Sequence, residues 1–260
     1  MKKNLTSISA KAENNCSSVM TDLSQKTNAT PEVYAHAKAL LDKHLSCKEI
    51  DELNVLIDEY SFMTTIFVGD NGKKGMRHAN GDILVPAIYD DFAFTFDCLM
   101  VNYEIIPALQ DGKSGLVKCD GTGTPVTGFM YDSIGVVPMT TRAFFFKKDG
   151  STAYGLMLSD GRELCPCVID KHYEPSSVCM LLKGGNYYGL YDLHDRVVMP
   201  IYEDIEVGEP EEPMIFTYNG VLGYLDKDLK FVSKSDVDAI EDEDERQERL
   251  LDFLPGEYEI

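Results

Sequence analysis

The chain has 260 residues, 44% of them hydrophobic, and carries 24 basic against 44 acidic side chains for a formal charge of −20. That apolar content suffices for a packed core in one large domain or two small ones. The charge repels phosphate backbones and anionic lipid, which excludes general nucleic-acid or membrane-surface binding and favours basic partners.

Residues 1–30 are rich in Ser, Thr, Asn and Lys without an apolar period, which predicts a poorly ordered leader. Lys2 and Lys3 are followed only by Leu5 and Ile8, too little for the apolar core of an export signal. Over 31–61 the pattern predicts a helical hairpin. Thr30 caps the first helix and Pro31 suits its first turn, with Val33, Ala37, Leu40, Leu41 and Leu45 on one face. Ser46 and Glu49 form a capping box for the second, whose apolar face is Ile50, Leu53, Leu56 and Ile57.

From Phe62 the period changes to alternation of β-branched and aromatic residues, and a mainly β domain of repeats is predicted over 62–233. Five glycines, Gly75, Gly115, Gly155, Gly189 and Gly223, each follow a turn and precede an extended run, at spacings of 40, 40, 34 and 34 residues. Asp111-Gly112 and Asn219-Gly220 supply hairpin turns before the glycine strand; Asn80-Gly81, Asp120-Gly121 and Asp160-Gly161 supply turns after it. A third strand then leads to the next copy, in the stretches 98–104, 143–148, 178–183 and 214–219. Pro86, Pro125, Pro166 and Pro200 recur in the second strand, where a missing donor is tolerated only at an edge or bulge. Such units cannot bury both faces alone, so an open stack of about five antiparallel three-stranded units is expected, with a β-propeller as the alternative.

Gly72-Lys73-Lys74-Gly75 with Pro86 and Tyr89-Asp90-Asp91 resembles the unit of the bacterial WG repeat family. Gly112-Lys113-Ser114-Gly115 with Tyr131-Asp132, and Pro200 with Tyr202-Glu203-Asp204, are similar to it as well. The chain departs from that family in having no tryptophan: Lys74, Ser114, Tyr154, Tyr188 and Leu222 stand before the five glycines. The resemblance covers about two-thirds of the chain and implies a scaffold of repeats with little chemistry.

No motif for nucleophilic or phosphate chemistry occurs. Cys165-Pro166-Cys167 with His172 is the only cluster that suggests a metal, but Cys165 and Cys167 fill the positions of Val85 and Ala87 and read as buried strand residues. Gly121-Thr122-Gly123-Thr124 reads as a loop insertion, because no helix follows to make a phosphate cradle. The repeated Tyr-Asp corners read as packing tyrosines and turn-binding carboxylates. No catalytic residue, cofactor or metal is therefore expected. The seven cysteines (Cys16, Cys47, Cys98, Cys119, Cys165, Cys167 and Cys179) are odd in number and irregular in spacing, as in a reduced cytoplasmic protein. No apolar run approaches the ~20 residues of a membrane span.

The asymmetry lies at the end of the chain, where residues 199–260 hold 19 acids and 5 bases. Over 234–260 an acidic capping helix is predicted, opened by Ser235 and striped by Val237, Ile240, Leu251 and Leu254. Glu209, Glu211, Glu212, Glu241, Asp242, Glu243, Asp244 and Glu245 are the candidate partner-binding residues. The function expected is a non-catalytic scaffold for protein–protein interaction with a basic partner. An immunity-type antagonist of a cationic toxin or nuclease is the alternative, and a metal-dependent enzyme built on Cys165, Cys167 and His172 a third.

Overall fold

A computed structural model describes residues 26–253 apart from 44, 139, 175–178, 193 and 209–211. Residues 1–25 of the expected leader thus lie outside the described residues. The chain divides into two compact units, one ending at Ile134 and one beginning at Gly135. The fold is mainly β, built of small open antiparallel sheets with a few short helices.

In the first unit, β1 (Thr27–Asn28) pairs in parallel with β2 (Tyr60–Ser61), and Ala29 is buried. Thr27, Asn28 and Ala29, expected to lie in a poorly ordered leader, are instead held by this strand pairing and by burial of the alanine. Between them lie α1 (Pro31–Leu41) and α2 (Cys47–Glu59), whose caps are Thr30 and Ser46. Ser46 N–H donates to Glu49 at 3.0 Å, the backward half of the capping box. Ala37, Leu40 and Leu53 pack with Phe62 and Leu99, whereas Ile50, expected on the inner face, is exposed.

Two sheets follow: β3 (Thr65–Val68), β4 (Lys74–Arg77) and β5 (Ile83–Tyr89), then β6 (Asp91–Phe92), β7 (Ile105–Gln110) and β8 (Lys113–Lys118). Met76, Val85 and Tyr89 of the first pack with Phe92, Ile106, Ala108 and Val117 of the second. The strand expected at 98–104 is instead Ile105–Gln110, with Pro107 inside it. Asp97 accounts for the shift, since its carboxylate accepts from the N–H groups of Leu99 and Met100 and turns the chain there.

The second unit holds three four-stranded sheets. They are β9 (Ser133–Val136), at the division, to β12 (Glu163–Ile169), through β10 (Ala143–Lys147) and β11 (Tyr154–Leu158); β13 (Lys171–Tyr173) to β16 (Val197–Tyr202), through β14 (Cys179–Gly184) and β15 (Tyr187–Asp192); and β17 (Asp204–Glu206) to β20 (Phe231–Ser233), through β18 (Ile215–Tyr218) and β19 (Val221–Leu225). Strand alternation explains how the middle sheet is covered on both faces. Met180 and Leu182 of β14 pack with Phe145, Leu156 and Cys165 of the preceding sheet, while Cys179 and Leu181 pack with Ile205, Phe216 and Leu225 of the following one. The fourth strand of each sheet, beyond the three expected, is the short one that follows the acidic corner.

Each marker glycine lies on the strand after a hairpin: Gly75 on β4, Gly115 on β8, Gly155 on β11, Gly189 on β15 and Gly223 on β19. Close approach, not backbone conformation, demands glycine at four of them. A Cβ on Gly75 or Gly155 would lie 2.8 Å from the carbonyl oxygen of Val85 or Cys165 in the next strand, and at Gly189 and Gly223 the carbonyls of Val198 and Val232 come nearer still. The following strand is irregular in register opposite Gly75, Gly155 and Gly189. That strand carries Pro86, Pro166 or Pro200 and is the sheet edge in all three cases, where a missing N–H leaves no ladder bond unmade.

The C-terminal part is two short helices rather than one: α3 (Lys234–Asp238), capped by Ser233 and not Ser235, and α4 (Glu243–Leu250), capped by Asp242. The acid run Glu241–Glu245 explains the break, because Asp242 turns its carboxylate to the N–H of Glu245 at 2.9 Å and starts a new helix. Val237 and Phe253 close over Tyr224, Ile215 and Val232 of the last sheet, the phenyl ring stacking on Tyr224 at 4.8 Å. Leu251, expected in the apolar stripe, is 80% exposed, and Leu254 lies outside the described residues.

Candidate functional site

The acidic quarter was the expected binding region. Glu209 and Glu211 lie outside the described residues; Glu212 is exposed in the loop before β18, its carboxylate 2.6 Å from where a Cβ on Gly208 would be. Glu241, Asp242, Glu243, Asp244 and Glu245 come together around the first turn of α4, and all five are exposed. The helix start accounts for their tolerance of one another, since its unpaired N–H groups favour anions. Glu243 pairs with Arg246 and accepts from Gln247 at 3.0 Å. Arg249 and Lys227 both reach Asp252, Lys230 pairs with Asp228, and Lys234 with Asp238. All five bases of residues 199–260 are thus engaged by acids of the same segment. None remains to offset the surplus of negative charge.

The corner acids do structural work. Asp90 accepts from Asp111 N–H at 2.7 Å, Asp170 from Gly185 N–H at 2.7 Å, and Glu203 from Gly220 N–H at 3.0 Å, so each corner holds the hairpin turn of the sheet that follows. Asp90 also takes Lys73 Nζ at 2.5 Å, and Asp132 takes Lys113 Nζ at 2.5 Å. These lysines belong to the two Gly-Lys-x-Gly stretches. The lysine bond first, then the Asp111 amide, holds the Asp90 carboxyl below the usual carboxylate range. The corner tyrosines Tyr89, Tyr131 and Tyr202 are buried.

Tyr89 donates to Gly123 O at 2.5 Å and Gly121 N–H donates to Leu84 O at 2.8 Å, which docks the loop 120–124 on β5. Thr122 and Thr124 spend their N–H groups on Asp120 and on Thr122 Oγ1. The loop is packing, with the amides of Gly121, Thr122 and Thr124 already used.

Cys165 is buried between two sheets, and burial pushes its thiol up to about 11. Cys167 directs its sulfur to Phe146 O at 3.8 Å. His172 is otherwise exposed but stacks one ring face on Phe145 at 4.8 Å, and loss of water there lowers its pKa. Among the described residues, no group of three or more His, Cys, Asp and Glu is placed to hold a metal ion.

A charge cluster that the sequence pattern did not single out surrounds the β15–β16 turn. Asp192 is buried and accepts from Arg196 Nε at 2.7 Å and from the N–H groups of His194 and Arg196. Asp195, at φ +63, accepts from Tyr191 Oη at 3.2 Å and pairs with Arg142. The only sequence signal was indirect: Asp195 stands where Gly81, Gly121 and Gly161 supply positive φ in other turns.

Among the described residues no helix is long and apolar enough to cross a membrane. No family model matches the chain, and no curated protein matches it.

Proposed function

We propose that the chain is a non-catalytic interaction scaffold that binds a basic protein partner through its acidic C-terminal part, on a stack of divergent WG-type units. The observation that supports this reading most is the internal use of all five C-terminal bases, which leaves the surplus acids to face solvent and to draw a cation-rich surface. The sheets of the second unit supply a fixed platform: buried cores on both faces of the middle sheet and corner carboxylates Asp170 and Glu203 that lock successive turns.

Affinity capture from native lysate tests the proposal. A basic protein is retained at low ionic strength, released by salt, and not retained by a variant carrying Glu241→Gln, Asp244→Asn and Glu245→Gln. Retention that ignores both salt and the triple substitution rejects the acidic surface as the binding site. If the retained protein is a basic nuclease whose activity the chain abolishes, the scaffold reading gives way to that of an antagonist.

A further inference from the structure

The first sheet is one strand short of the pattern the others set. Beside β7, β14 and β18, the strands that precede the marker glycines, lie the short outer strands β6, β13 and β17. In each case the corner acid donates its own N–H to one particular carbonyl: Asp90 to Leu109 at 2.9 Å, Asp170 to Lys183 at 2.7 Å, and Glu203 to Thr217 at 2.9 Å. Each acceptor follows the residue paired with the marker glycine, Ala108, Leu182 or Phe216. In the first sheet Phe67 pairs with Gly75, so the corresponding acceptor is Val68.

Among the described residues that acceptor is open. Gly69 N–H donates to Lys73 O at 2.8 Å, so in this antiparallel register the odd residues of β3 face β4, and Ile66 and Val68 turn their backbone N–H and C=O groups outward. Thr64 obeys the same parity and is covered, donating to Phe96 O at 2.7 Å. Beyond it, among the described residues, nothing pairs with the outward groups of Ile66 and Val68, residues that are 37% and 66% exposed. An unpaired edge of this kind is a template for an added strand.

The chain itself shows what such a position accepts. Tyr89-Asp90-Asp91-Phe92 and Tyr202-Glu203-Asp204-Ile205 both lead from a tyrosine and an acid into the short strand, three residues after Pro86 and two after Pro200. Tyr131-Asp132-Ser133-Ile134 leads into β9 in the same way, and outside the described residues one stretch has this chemistry: Pro255-Gly256-Glu257-Tyr258-Glu259-Ile260, with proline three residues before tyrosine as in Pro86–Tyr89. It lies outside the described residues and follows Phe253, which is bridged to Asp226 on the last sheet. We propose that the open edge of β3 receives residues 255–260 of a second copy of this chain, Glu259 donating its N–H to Val68 O as the corner acids do elsewhere. The contact joins different surfaces of the two copies and so propagates head to tail.

Sedimentation velocity of the full-length chain tests this across a micromolar concentration series. Association is expected to rise with concentration and to strengthen with salt, because two acidic chains repel; binding of a basic partner has the opposite salt dependence, so the two proposals fail separately. Val68→Pro deletes an outward N–H at a sheet edge, where proline is tolerated. Val68→Glu keeps the amide and adds a like charge, and Glu259→Pro deletes the donor. Each weakens association by roughly tenfold or more, read on whichever edge variant keeps the parent's unfolding midpoint. At concentrations where the parent just associates, neither Val68→Pro nor Glu259→Pro self-associates, but their mixture forms a one-to-one dimer, since one keeps the tail and the other keeps the edge. A full-length chain that stays monomeric throughout, variants that associate like the parent, or a mixture that stays monomeric each overturn the proposal.

Discussion

Asp90 receives the backbone N–H of Asp111 at 2.7 Å while holding Lys73 Nζ at 2.5 Å, and so clamps the turn between β7 and β8 to the corner after β5. Its pKa is depressed, by the lysine first and the amide second. The stability it contributes is therefore present above the unfolded carboxyl pKa of about 3.9 and is lost as pH falls through the lower folded value. Asp90→Asn is expected to lower the thermal midpoint at neutral pH and to leave it unchanged at pH values below both pKa values. A constant difference at every pH, measured by calorimetry, would show that the loss is not electrostatic.

Gly189 illustrates why the spacing of glycines is so readable. A Cβ there meets backbone on every side: the carbonyl oxygen of Val198 and, at 2.8 Å, the carbonyl carbon of Met199 and the nitrogen of Pro200. Backbone cannot swing aside as a flexible side chain can. Gly189→Ala is expected to cost about 1–3 kcal/mol in urea unfolding. Gly135→Ala, whose Cβ would meet nothing within 4 Å, is the control and should lie near zero.

The same physics separates what was legible in the sequence from what was not. Marker glycines, the edge prolines Pro86, Pro166 and Pro200, hairpin turns and the caps at Thr30 and Ser46 each follow from one residue's local requirement and stand where expected, whereas Pro125, expected in a second strand, lies outside any strand and meets Val117 only through an isolated bridge. The short strands after the acidic corners were missed because Asp91-Phe92 and Asp204-Ile205-Glu206 are too short to show alternation; only pairing with β7 and β18 defines them. The break between α3 and α4 was missed because a run of five acids carries no apolar period, and the choice of Asp242 as a cap is settled by a side-chain hydrogen bond. In the candidate site, the clustering of Glu241–Glu245 was implicit in their adjacency. The local pairing of all five bases was not, since Lys227 and Asp252 meet only when the last helix folds back on the sheet.

Asp192 is expected to contribute more to the second unit's stability than that unit's exposed ion pairs do, because it alone among their described carboxylates is buried with several donors. Its carboxylate is 3% exposed and bonded to Arg196 Nε and to two turn amides. Arg196, by contrast, is 40% exposed and can recover water. Asp192→Ala removes the acceptor of both turn amides together with the ion pair, and is expected to cost roughly 2–4 kcal/mol. Arg196→Ala should cost less, because the amides still satisfy the carboxylate. Equal losses in the two variants, measured by urea unfolding, would place the energy in the ion pair alone.

Phe253 decides whether the acidic helices belong to the folded unit. It is 4% exposed, stacks on Tyr224, lies under the Arg249 guanidinium at 5.0 Å and bridges to Asp226. Removing the ring leaves a cavity beside Val237 and Val232 and frees one face of Tyr224, a change worth about 3 kcal/mol for a buried phenylalanine. The loss should be local: amide exchange in Phe253→Ala quickens over residues 234–253 and β19–β20, while β10 and β11 keep their protection. Uniform acceleration across the second unit would mean that the helices and the three sheets unfold as one.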